Sequence, residues 1–402
     1  MAKYVFVTGG VCSGLGKGIT ASSIALLLKT KGYKVFMQKF DPYMNVDPGT
    51  MSPIQHGEVF VTADGCETDL DLGHYERFID EELNYTSNIT NRKIYSSVIE
   101  KERVGDFLGS TIQIVPHISN EIKNKIYEAG TSSGADIVIT EIGGTVGDIE
   151  SSVMMESLRQ FRLETGTQNS LFVHTTLVPY LFGSNELKTK PTQNSIIELR
   201  RLGIQPDIIV TRAPIDLGDA VKKKISLFGS IPVENIIEAK DVNNIYQIPV
   251  NFHKQHIEDI ILKQFGLKVT KSNLDTWENL IKTVENLDKE VEIALVGKYT
   301  ELEDAYLSVK EALKAAGYKY SANWVDSEKL ETKNCNLKEV FKNSQGIIVP
   351  GGFGSRGIEG MIKAAEYARV NKIPYLGICL GMQIAVIEFA RHVCGLTDAS
   401  SR

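Results

Sequence analysis

Residues 8–23, TGGVCSGLGKGITASS, combine closely spaced glycines with one lysine, a composition typical of loops that bind phosphate groups. Glycine lets backbone N–H groups approach phosphate oxygens, and a lysine ammonium neutralises their charge. The segment departs from the usual G-x-x-x-x-G-K-[ST] pattern, because five residues separate Gly10 from Gly16 and Gly18 follows Lys17. The hydroxyl that usually holds Mg²⁺ is therefore missing. Either this is an ordinary strand–helix turn, or other side chains hold the metal of a nucleotide site.

Two carboxylates are candidate magnesium ligands. Glu141 follows an apolar run at the end of a predicted strand, where open α/β sheets place their ligand sites. Asp71 lies in the carboxylate-rich segment ETDLDLGHYERF. Mg²⁺ prefers oxygen ligands and often takes one or two carboxylates together with phosphates and water. A solvated surface group or a helix cap is the alternative for either residue.

A short basic loop, KTKPTQ at 188–193, brings two lysines together with threonine and glutamine donors. Such a loop can clamp a triphosphate through charge and hydrogen bonds. It can equally be a solvated surface loop, and its composition alone does not decide between these roles.

A second candidate site surrounds Cys379 in LGICLGMQ (376–383), which follows a predicted strand. The G-x-C-x-G arrangement parallels the G-x-S-x-G nucleophile elbow, and a helix N-terminus favours the thiolate. Backbone N–H groups of IIVPGGFG (347–354) could form an oxyanion hole. The alternative is a buried structural cysteine. A thiol nucleophile needs a base, but His392, the one histidine after Cys379, is expected to point away from it.

Length and composition limit the classes of protein to consider. The chain has 402 residues, enough for two domains, and its 42% hydrophobic and 23% charged residues are typical of a globular protein. The net charge of -6 argues against non-specific nucleic-acid binding. Five scattered cysteines argue against a disulfide framework or zinc site and favour a cytoplasmic location. We expect neither a signal peptide nor a membrane span, because no suitable apolar run occurs.

The positions of apolar runs predict the domain organisation. Short runs alternate with helical patterns over residues 1–266, which predicts a doubly wound α/β domain with a P-loop-type nucleotide site. Residues 267–289 form a polar linker with one helix, and 290–402 form a second, partial α/β domain. The predicted strands are 4–10, 34–40, 135–144, 170–176 and 206–212 in the first domain, and 289–299, 345–352 and 372–383 in the second.

Longer stretches resemble the CTP synthase family. The segments that carry this resemblance are 39–62, 67–78, 141–151, 188–193 and 239–246. PGGFGSRG (350–357) and GICLGMQ resemble the class I glutamine amidotransferase domain that follows in that family. The resemblance covers essentially the whole chain. It implies an ATP-dependent ligase that aminates UTP at C4 through a 4-phosphorylated intermediate, with nitrogen from glutamine or ammonia.

The resemblance also implies roles for the matching residues. Lys17 and Lys39 would be catalytic in the synthase domain, Cys379 would be the thiol nucleophile, and Asp71 and Glu141 would bind Mg²⁺. The expected ATP site comprises Ser13, Gly14, Leu15, Gly16, Lys17, Gly18, Ile19, Asp71, Arg212, Lys240, Asp241 and Val242. The expected UTP site, which would also bind inhibitory CTP, comprises Ser13, Asp148, Ile149, Glu150, Lys188, Thr189, Lys190, Pro191, Thr192, Gln193 and Lys224. The expected glutamine site comprises Gly352, Leu380 and Gln383.

Membership would further imply GTP as an allosteric activator and a homotetramer, together with assembly into filaments. The His-Pro-Glu segment that completes the family's glutaminase triad does not occur in these 402 residues. We therefore expect this chain to use free ammonia rather than glutamine.

Two other functions remain open from the sequence. One is another ATP-dependent amidoligase of the cobyrinate or dethiobiotin type, which the long 39–62 match disfavours. The other is a glutaminase-defective subunit that senses nucleotides or supports assembly, which the presence of Lys17, Asp71 and Glu141 disfavours.

Overall fold

A computed structural model describes residues 2–401, which divide into two compact units. The first unit contains the described residues up to Thr50 together with Phe60–Glu278. The second contains Met51–Val59 and the described residues from Asn279 onward. The second unit is therefore built from two separate stretches of chain.

Strands and helices alternate through both units. The strands of residues 2–401 are β1 Lys3–Gly9, β2 Val35–Asp41, β3 Phe60–Val61, β4 Glu67–Thr68, β5 Asn88–Thr90, β6 Ile137–Ile142, β7 Ser170–Leu177, β8 Tyr180–Leu181, β9 Glu186–Leu187, β10 Ile208–Ala213, β11 Ile236–Lys240, β12 Glu290–Gly297, β13 Lys319–Asp326, β14 Gly346–Val349 and β15 Tyr375–Gly377. The α-helices are α1 Lys17–Thr30, α2 Pro53–His56, α3 Asp71–Ile79, α4 Asn91–Arg103, α5 Ser119–Ser133, α6 Ser152–Thr165, α7 Lys190–Arg201, α8 Gly218–Gly229, α9 Ile248–His253, α10 Ile257–Gln264, α11 Asp275–Glu285, α12 Leu307–Ala315, α13 Ser327–Glu331, α14 Leu337–Val340, α15 Ile358–Asn371 and α16 Leu380–His392.

A seven-stranded parallel sheet, in the order β11-β10-β7-β1-β6-β2-β5, organises the first unit. Its central strand shows why the apolar runs are nearly continuous. Val5 and Val7 pack into the cluster that includes α1, whereas Tyr4 and Phe6 pack into the cluster on the opposite face. Alternate side chains of one strand thus enter different cores, so both must be apolar. The doubly wound α/β architecture predicted from the sequence is confirmed.

The parallel direction of these strands places their carboxyl ends along one edge of the sheet. The loop after β1, the end of β2 and the end of β6 all meet there. In the strand register Glu141 of β6 lies beside Val7 of β1 on one side and Lys39 of β2 on the other. Charged residues far apart in sequence therefore become neighbours.

A four-stranded parallel sheet, in the order β13-β12-β14-β15, organises the second unit. Its core joins β12 and β14 to α15 and α16, with Met361 and Ile384 fully buried. The 51–59 stretch is tied to this unit by Glu58, whose carboxylate accepts hydrogen bonds from the backbone N and Oγ of Ser308 at 2.8 and 2.5 Å.

Three strands of the two large parallel sheets were not among the sequence predictions, namely β5, β11 and β13, and the four two-residue strands of the small sheets were not predicted either. The first three lie at sheet edges, where one side of the strand has no neighbour. Most residues of β13 are partly exposed, which explains why KYSANWVD lacks a continuous apolar run. No helix among residues 2–401 combines the length and apolar character needed to cross a membrane.

Candidate active site

The loop between β1 and α1 leaves a helix N-terminus available to a ligand. Gly14 and Gly16 have φ angles of 72° and 84°, a region that favours glycine, and Gly16 is the N-cap of α1. No side chain caps this end of α1, and its first turn carries no acidic residue. Val11 has a φ of 80°, which is strained for a β-branched residue. The first N–H groups of α1 can therefore bind phosphate oxygens.

A charged cluster centred on Lys39 lies beside this loop. Lys39 Nζ donates a hydrogen bond to Asp71 and lies 3.1 Å from Oε1 of Glu141. Carboxylate oxygens of Asp41 and Asp69 are each 3.9 Å from the same nitrogen. Lys39 is only 5% exposed. Four carboxylates thus surround one buried ammonium group.

Burial and charge act in opposite directions on these groups. Burial alone would lower the pKa of Lys39, but the surrounding carboxylates outweigh it and raise that pKa well above its usual value. Burial raises the pKa of Glu141, and it raises the pKa of Asp41 to about 6 and of Asp69 to about 8. Burial also opposes ionisation of Asp71, yet Lys39 lowers its pKa. The cluster has more carboxylates than cations and can accept a further cation.

Gly18 explains the departure of the loop from the usual pattern. A Cβ added at this position would overlap Oδ1 of Asp71 and lie 2.9 Å from its Cγ. The same atom would lie 3.3 Å from Oε2 of Glu141. The space that serine or threonine occupies in other phosphate-binding loops is therefore filled here by carboxylates from α3 and β6.

Tyr75 is a member of this cluster that the sequence patterns do not single out. Its hydroxyl donates a hydrogen bond to Oε2 of Glu141, and its side chain is fully buried. Tyr75 follows Asp71 by four residues in α3, so both side chains lie on the same helix face. That spacing was a usable signal. Asp41 and Asp69, also absent from the predictions, carried only the weaker signal of a strand end and a carboxylate-rich segment.

Lys17 lies between the loop and the segment that follows β6. Its Nζ donates a hydrogen bond to the backbone carbonyl of Gly144 at 2.6 Å. Burial lowers the pKa of Lys17. The backbone N–H of Val146 donates to the carbonyl of Gly9 at 2.8 Å, which joins this segment to the end of β1. Lys17 therefore reaches the edge of the sheet near the Lys39 cluster.

The structure brings together most residues predicted to contact ATP. They line one side of an open cleft with about 540 Å³ of empty space. Arg212 fixes the rim, because its Nη1 donates to the carbonyl of Gly14 at 2.6 Å and its Nε donates to Asp241 at 2.8 Å. The apolar wall includes Ile19 and Phe252. An apolar slot with a polar rim suits a flat heterocyclic base. Its lining includes Leu15, Gly16, Ile19, Arg212, Lys240, Asp241 and Val242.

The residues predicted to bind UTP lie in two places. Asp148, Ile149 and Glu150 are exposed in the segment after β6. The 188–193 segment instead leads into α7, where Thr192 Oγ1 donates to the carbonyl of Leu177 at 2.8 Å. Hydrogen bonds of the described residues do not join these two places.

Two lysines of the predicted UTP site, Lys188 and Lys224, act on the carboxylate of Glu186. Lys188 donates a hydrogen bond to this carboxylate and lowers its pKa, and Lys224 of α8 lowers that pKa further. Both lysines therefore act on Glu186, although 36 residues separate Lys188 from Lys224 in sequence. The two lysines form a small positive region beside the start of α7.

His174 of β7 is a buried group that the sequence patterns also missed. Its Nδ1 lies 2.9 Å from Oγ1 of Thr8, and its Nε2 lies 2.8 Å from Oγ of Ser195. Burial, with a further contribution from Lys17, lowers the pKa of His174 to about 3. The imidazole is therefore neutral near pH 7.

The depressed pKa of His174 predicts a pH-dependent stability. Between about pH 6.5 and pH 3 the unfolded chain binds a proton at this residue and the folded chain does not, so acid destabilises the folded state. This contribution is absent in His174→Gln. We expect the free energy of unfolding of the wild type to fall by about 2 kcal/mol more than that of the variant between pH 7 and pH 5. Urea unfolding at both pH values measures this, and equal losses in both proteins would contradict it.

Cys379 of the second unit lies on a sharp turn before α16. Its φ and ψ angles are 52° and -105°, and the residue is exposed. A Cβ added at Gly351 would be 3.6 Å from that of Cys379, so the loop after β14 passes directly beside the thiol. Lys298 holds this loop by donating to the carbonyl of Phe353 at 3.0 Å and to that of Gly354. This arrangement has the form of a nucleophile elbow.

The other residues predicted around Cys379 surround the same turn. Gly352 would bring an added Cβ to 3.6 Å from Leu380, which begins α16. Gln383 lies in the first turn of that helix, where its Oε1 accepts a hydrogen bond from Ser401. His392 ends the helix, and its Nδ1 lies 3.1 Å from Glu388. Thirteen helical residues span about 19 Å, so His392 is too distant to act as a base for the thiol.

Comparison with known proteins identifies the family. A family model described as the CTP synthase N-terminus matches residues 3–267, and one described as glutamine amidotransferase class-I matches residues 301–401. CTP synthase of Mycoplasma capricolum is 59% identical over 405 residues, and that of Listeria innocua is 56% identical over the same length. Each alignment covers 100% of this chain and 76% of the relative.

A solved structure is also similar in sequence. The glutaminase domain of Trypanosoma brucei CTPS with bound acivicin is 45% identical to the matching part of this chain. The match covers 28% of this chain and 44% of the solved chain, with a TM-score of 0.26. The two family models and the full-length relatives account for both units of the chain. The chain therefore belongs to the CTP synthase family, the ATP-dependent ligases that form a C–N bond in converting UTP to CTP.

Proposed function

We propose that the first unit aminates UTP in two steps at the edge of its seven-stranded sheet. The γ-phosphoryl group of ATP is transferred to O4 of the uracil ring, giving ADP and a 4-phosphorylated UTP. Ammonia then attacks C4, the C4–O4 bond breaks and phosphate leaves with O4, which gives CTP after loss of a proton. The observation that carries this proposal is the cluster of Lys39, Asp71 and Glu141 beside the glycine-rich loop.

In the first step the protein positions charge rather than forming covalent bonds. The N–H groups at the start of α1 and the ammonium of Lys17 bind the phosphates of ATP. Lys39 lies deeper, where its ammonium neutralises charge that develops on the transferred phosphoryl group. Because Lys39 is buried and Lys17 is partly buried, their electrostatic effect is stronger than it would be at a fully exposed position.

Asp71 and Glu141 would hold Mg²⁺. The donor set fits, because Mg²⁺ takes one or two carboxylates and completes its shell with phosphate oxygens and water. The four carboxylates of this cluster outnumber the two lysines beside them, Lys39 and Lys17, and Gly18 leaves the space between α1 and α3 open to carboxylate oxygens. Bound Mg²⁺ would neutralise the phosphates of ATP.

In the second step the residues predicted around UTP orient its ring and triphosphate. Lys188 and Lys224 supply positive charge for the triphosphate, and the 188–193 segment provides hydrogen-bond donors. Asp148, Ile149, Glu150 and Ser13 complete the site that we propose for UTP and for the inhibitor CTP. Orientation of C4 toward ammonia and exclusion of water from the phosphorylated ring are the contributions of the protein here.

We propose that Cys379 of the second unit is the nucleophile that releases ammonia from glutamine. Cys379 has the geometry of a nucleophile, but the imidazole that follows it in sequence lies about 19 Å farther along α16. His392 is held by Glu388 at 3.1 Å rather than by the thiol. His392 is therefore not the base that accepts the proton of the Cys379 thiol.

The proposed reaction predicts that CTP formation from free ammonia does not depend on Cys379. With UTP, ATP and Mg²⁺ present, the wild type should form CTP from ammonium chloride, and Cys379→Ala should do so at the same rate, because free ammonia needs no thiol nucleophile. Chromatographic separation of CTP from UTP measures both rates. A rate for Cys379→Ala below a tenth of the wild-type rate would contradict the proposal.

Four further properties follow from family membership and are proposed on that basis alone. GTP would activate glutamine hydrolysis, and CTP would inhibit by occupying the UTP site. The enzyme would assemble as a homotetramer, which could form filaments. It would act in the cytoplasm, where its nucleotide substrates are found.

A further inference from the structure

We propose that His174 is a positioning residue that couples the ATP-binding loop to the UTP-binding segment. This inference rests on the function proposed above. His174 is fully buried in β7, and its two ring nitrogens contact Thr8 at the end of β1 and Ser195 in α7. Thr8 is the penultimate residue of β1, which leads into the glycine-rich loop, and α7 begins within the 188–193 segment. His174 therefore links β1, which leads into the proposed ATP-binding loop, to α7, which contains part of the proposed UTP-binding segment.

The donor and the acceptor of each hydrogen bond in this bridge can be assigned. Thr8 Oγ1 donates to the carbonyl of Val173 at 3.4 Å, so it accepts from Nδ1–H of His174. The neutral ring then has Nε2 free to accept, and the hydroxyl of Ser195 donates to it. Each polar atom of the bridge has a partner. Loss of any one leaves a buried group unsatisfied, which makes the arrangement sensitive to movement of either end.

The glycine-rich loop also touches the bridge directly. A Cβ added at Gly10 would overlap Oγ of Ser195, would lie 2.9 Å from its Cβ and would lie 3.2 Å from Nε2 of His174. Gly10 is held in place, because its N–H donates to the carbonyl of Thr175 at 3.1 Å. The first residue of the loop after β1 therefore packs against α7 with no room between them. A shift of the loop on binding ATP must move Ser195, and a shift of α7 must move the loop.

A second contact explains why such a shift would reach UTP. Thr192, at the start of α7, donates a hydrogen bond to the carbonyl of Leu177 and contacts Thr176 at 3.2 Å. Thr192 and Ser195 lie three residues apart, so α7 is attached to β7 along one helix face. The 188–193 segment, whose residues 190–193 form the first turn of α7, is thus expected to move with the helix. Coupling free energies between sites are typically 1–3 kcal/mol, or 5- to 150-fold in affinity.

Binding measurements test the bridge without depending on catalysis. Isothermal titration calorimetry gives the Kd of a non-hydrolysable ATP analogue with Mg²⁺, in the absence and in the presence of saturating UTP. We expect UTP to tighten this Kd at least 5-fold in the wild type. In Ser195→Ala the effect of UTP should fall below 2-fold, whereas the Kd without UTP should stay within about 3-fold. A wild-type effect below 2-fold, or an unchanged effect in Ser195→Ala, would overturn the proposal.

Matched variants separate positioning from general stability. Ser157→Ala removes another fully buried helical hydroxyl, whose partner is only the carbonyl of Val153, and should keep the wild-type response to UTP. His174→Gln retains an acceptor for Ser195 and loses the bond to Thr8, so it should reduce the coupling as Ser195→Ala does. If Ser157→Ala reduced the coupling equally, the effect would be one of stability and the proposal would fail.

The same proteins distinguish this inference from the proposed function. Absence of CTP formation from UTP, ATP and ammonium chloride in the wild type would overturn the proposed function, whatever the binding data show. Normal CTP formation with no effect of UTP on the Kd of the ATP analogue would overturn only the role of His174.

Discussion

Glu141→Gln should lower the rate of CTP formation from ammonium chloride at least 1000-fold, and Asp71→Asn should do the same. Each change removes one negative charge from the pair that faces Lys39, and neither alters the size of the side chain appreciably. With one carboxylate lost, Mg²⁺ and Lys39 are no longer held against the transferred phosphoryl group. Loss of one group that stabilises a transition state typically costs 10²–10³-fold, and here the metal is affected as well.

The measurement is a steady-state rate at saturating ATP, UTP and Mg²⁺. Glu156→Gln is a suitable control, because Glu156 forms an ion pair with Arg159 on α6 within the helix and is not part of the cluster. Its rate should stay within 2-fold of the wild type. A Glu141→Gln enzyme with more than a tenth of the wild-type rate would show that this carboxylate does not hold the metal.

Gly18→Ser should lower CTP formation at least 100-fold although it restores the residue that most phosphate-binding loops carry after lysine. The serine Cβ would overlap Asp71 Oδ1 and lie 2.9 Å from its Cγ. Either α3 or the start of α1 must then move, which displaces Asp71 from Lys39 or the N–H groups from the phosphates. The supplied hydroxyl cannot compensate, because the carboxylates already occupy its place.

A glycine in open surroundings provides the comparison. Gly183 has no heavy atom within 4 Å of an added Cβ, so Gly183→Ser should keep the wild-type rate and stability. Circular dichroism of both variants checks that the chain is folded. If Gly18→Ser were fully active, the loop would work in the usual way, with a hydroxyl as metal ligand, and the role assigned to Asp71 would be wrong.

The interior of the fold could be predicted from the sequence, whereas its edges could not. β1, β2, β6 and β7 are buried on both faces, so their apolar runs are unmistakable. β5 has three residues, and β13 is largely exposed, so neither produces a comparable pattern. A strand at a sheet edge needs less apolar surface, and periodicity is then a weak signal.

The site could be predicted in part, and the family resemblance carried most of that part. Lys39, Asp71 and Glu141 are separated by up to 102 residues. The register of β2 with β6 brings Lys39 beside Glu141, and the position of α3 brings Asp71 to Lys39. His174 gave no signal, because a histidine inside an apolar strand is ordinarily a core residue. The role of His174 can be inferred only from its contacts with Thr8 and Ser195, and the sequence does not show that these residues lie beside it.

The divided second unit has a consequence for the time course of synthesis. Residues 51–59 leave the ribosome early, but Glu58 finds the N–H and hydroxyl of Ser308 only after some 250 further residues have been added. At about 5–20 residues per second this interval lasts about 10–50 s. During this interval the first unit can complete its sheet, whereas residues 51–59 cannot yet pack against the segment that contains Ser308. A nascent chain paused before residue 300 should therefore be cleaved by protease within 51–59, and the finished chain should resist cleavage there.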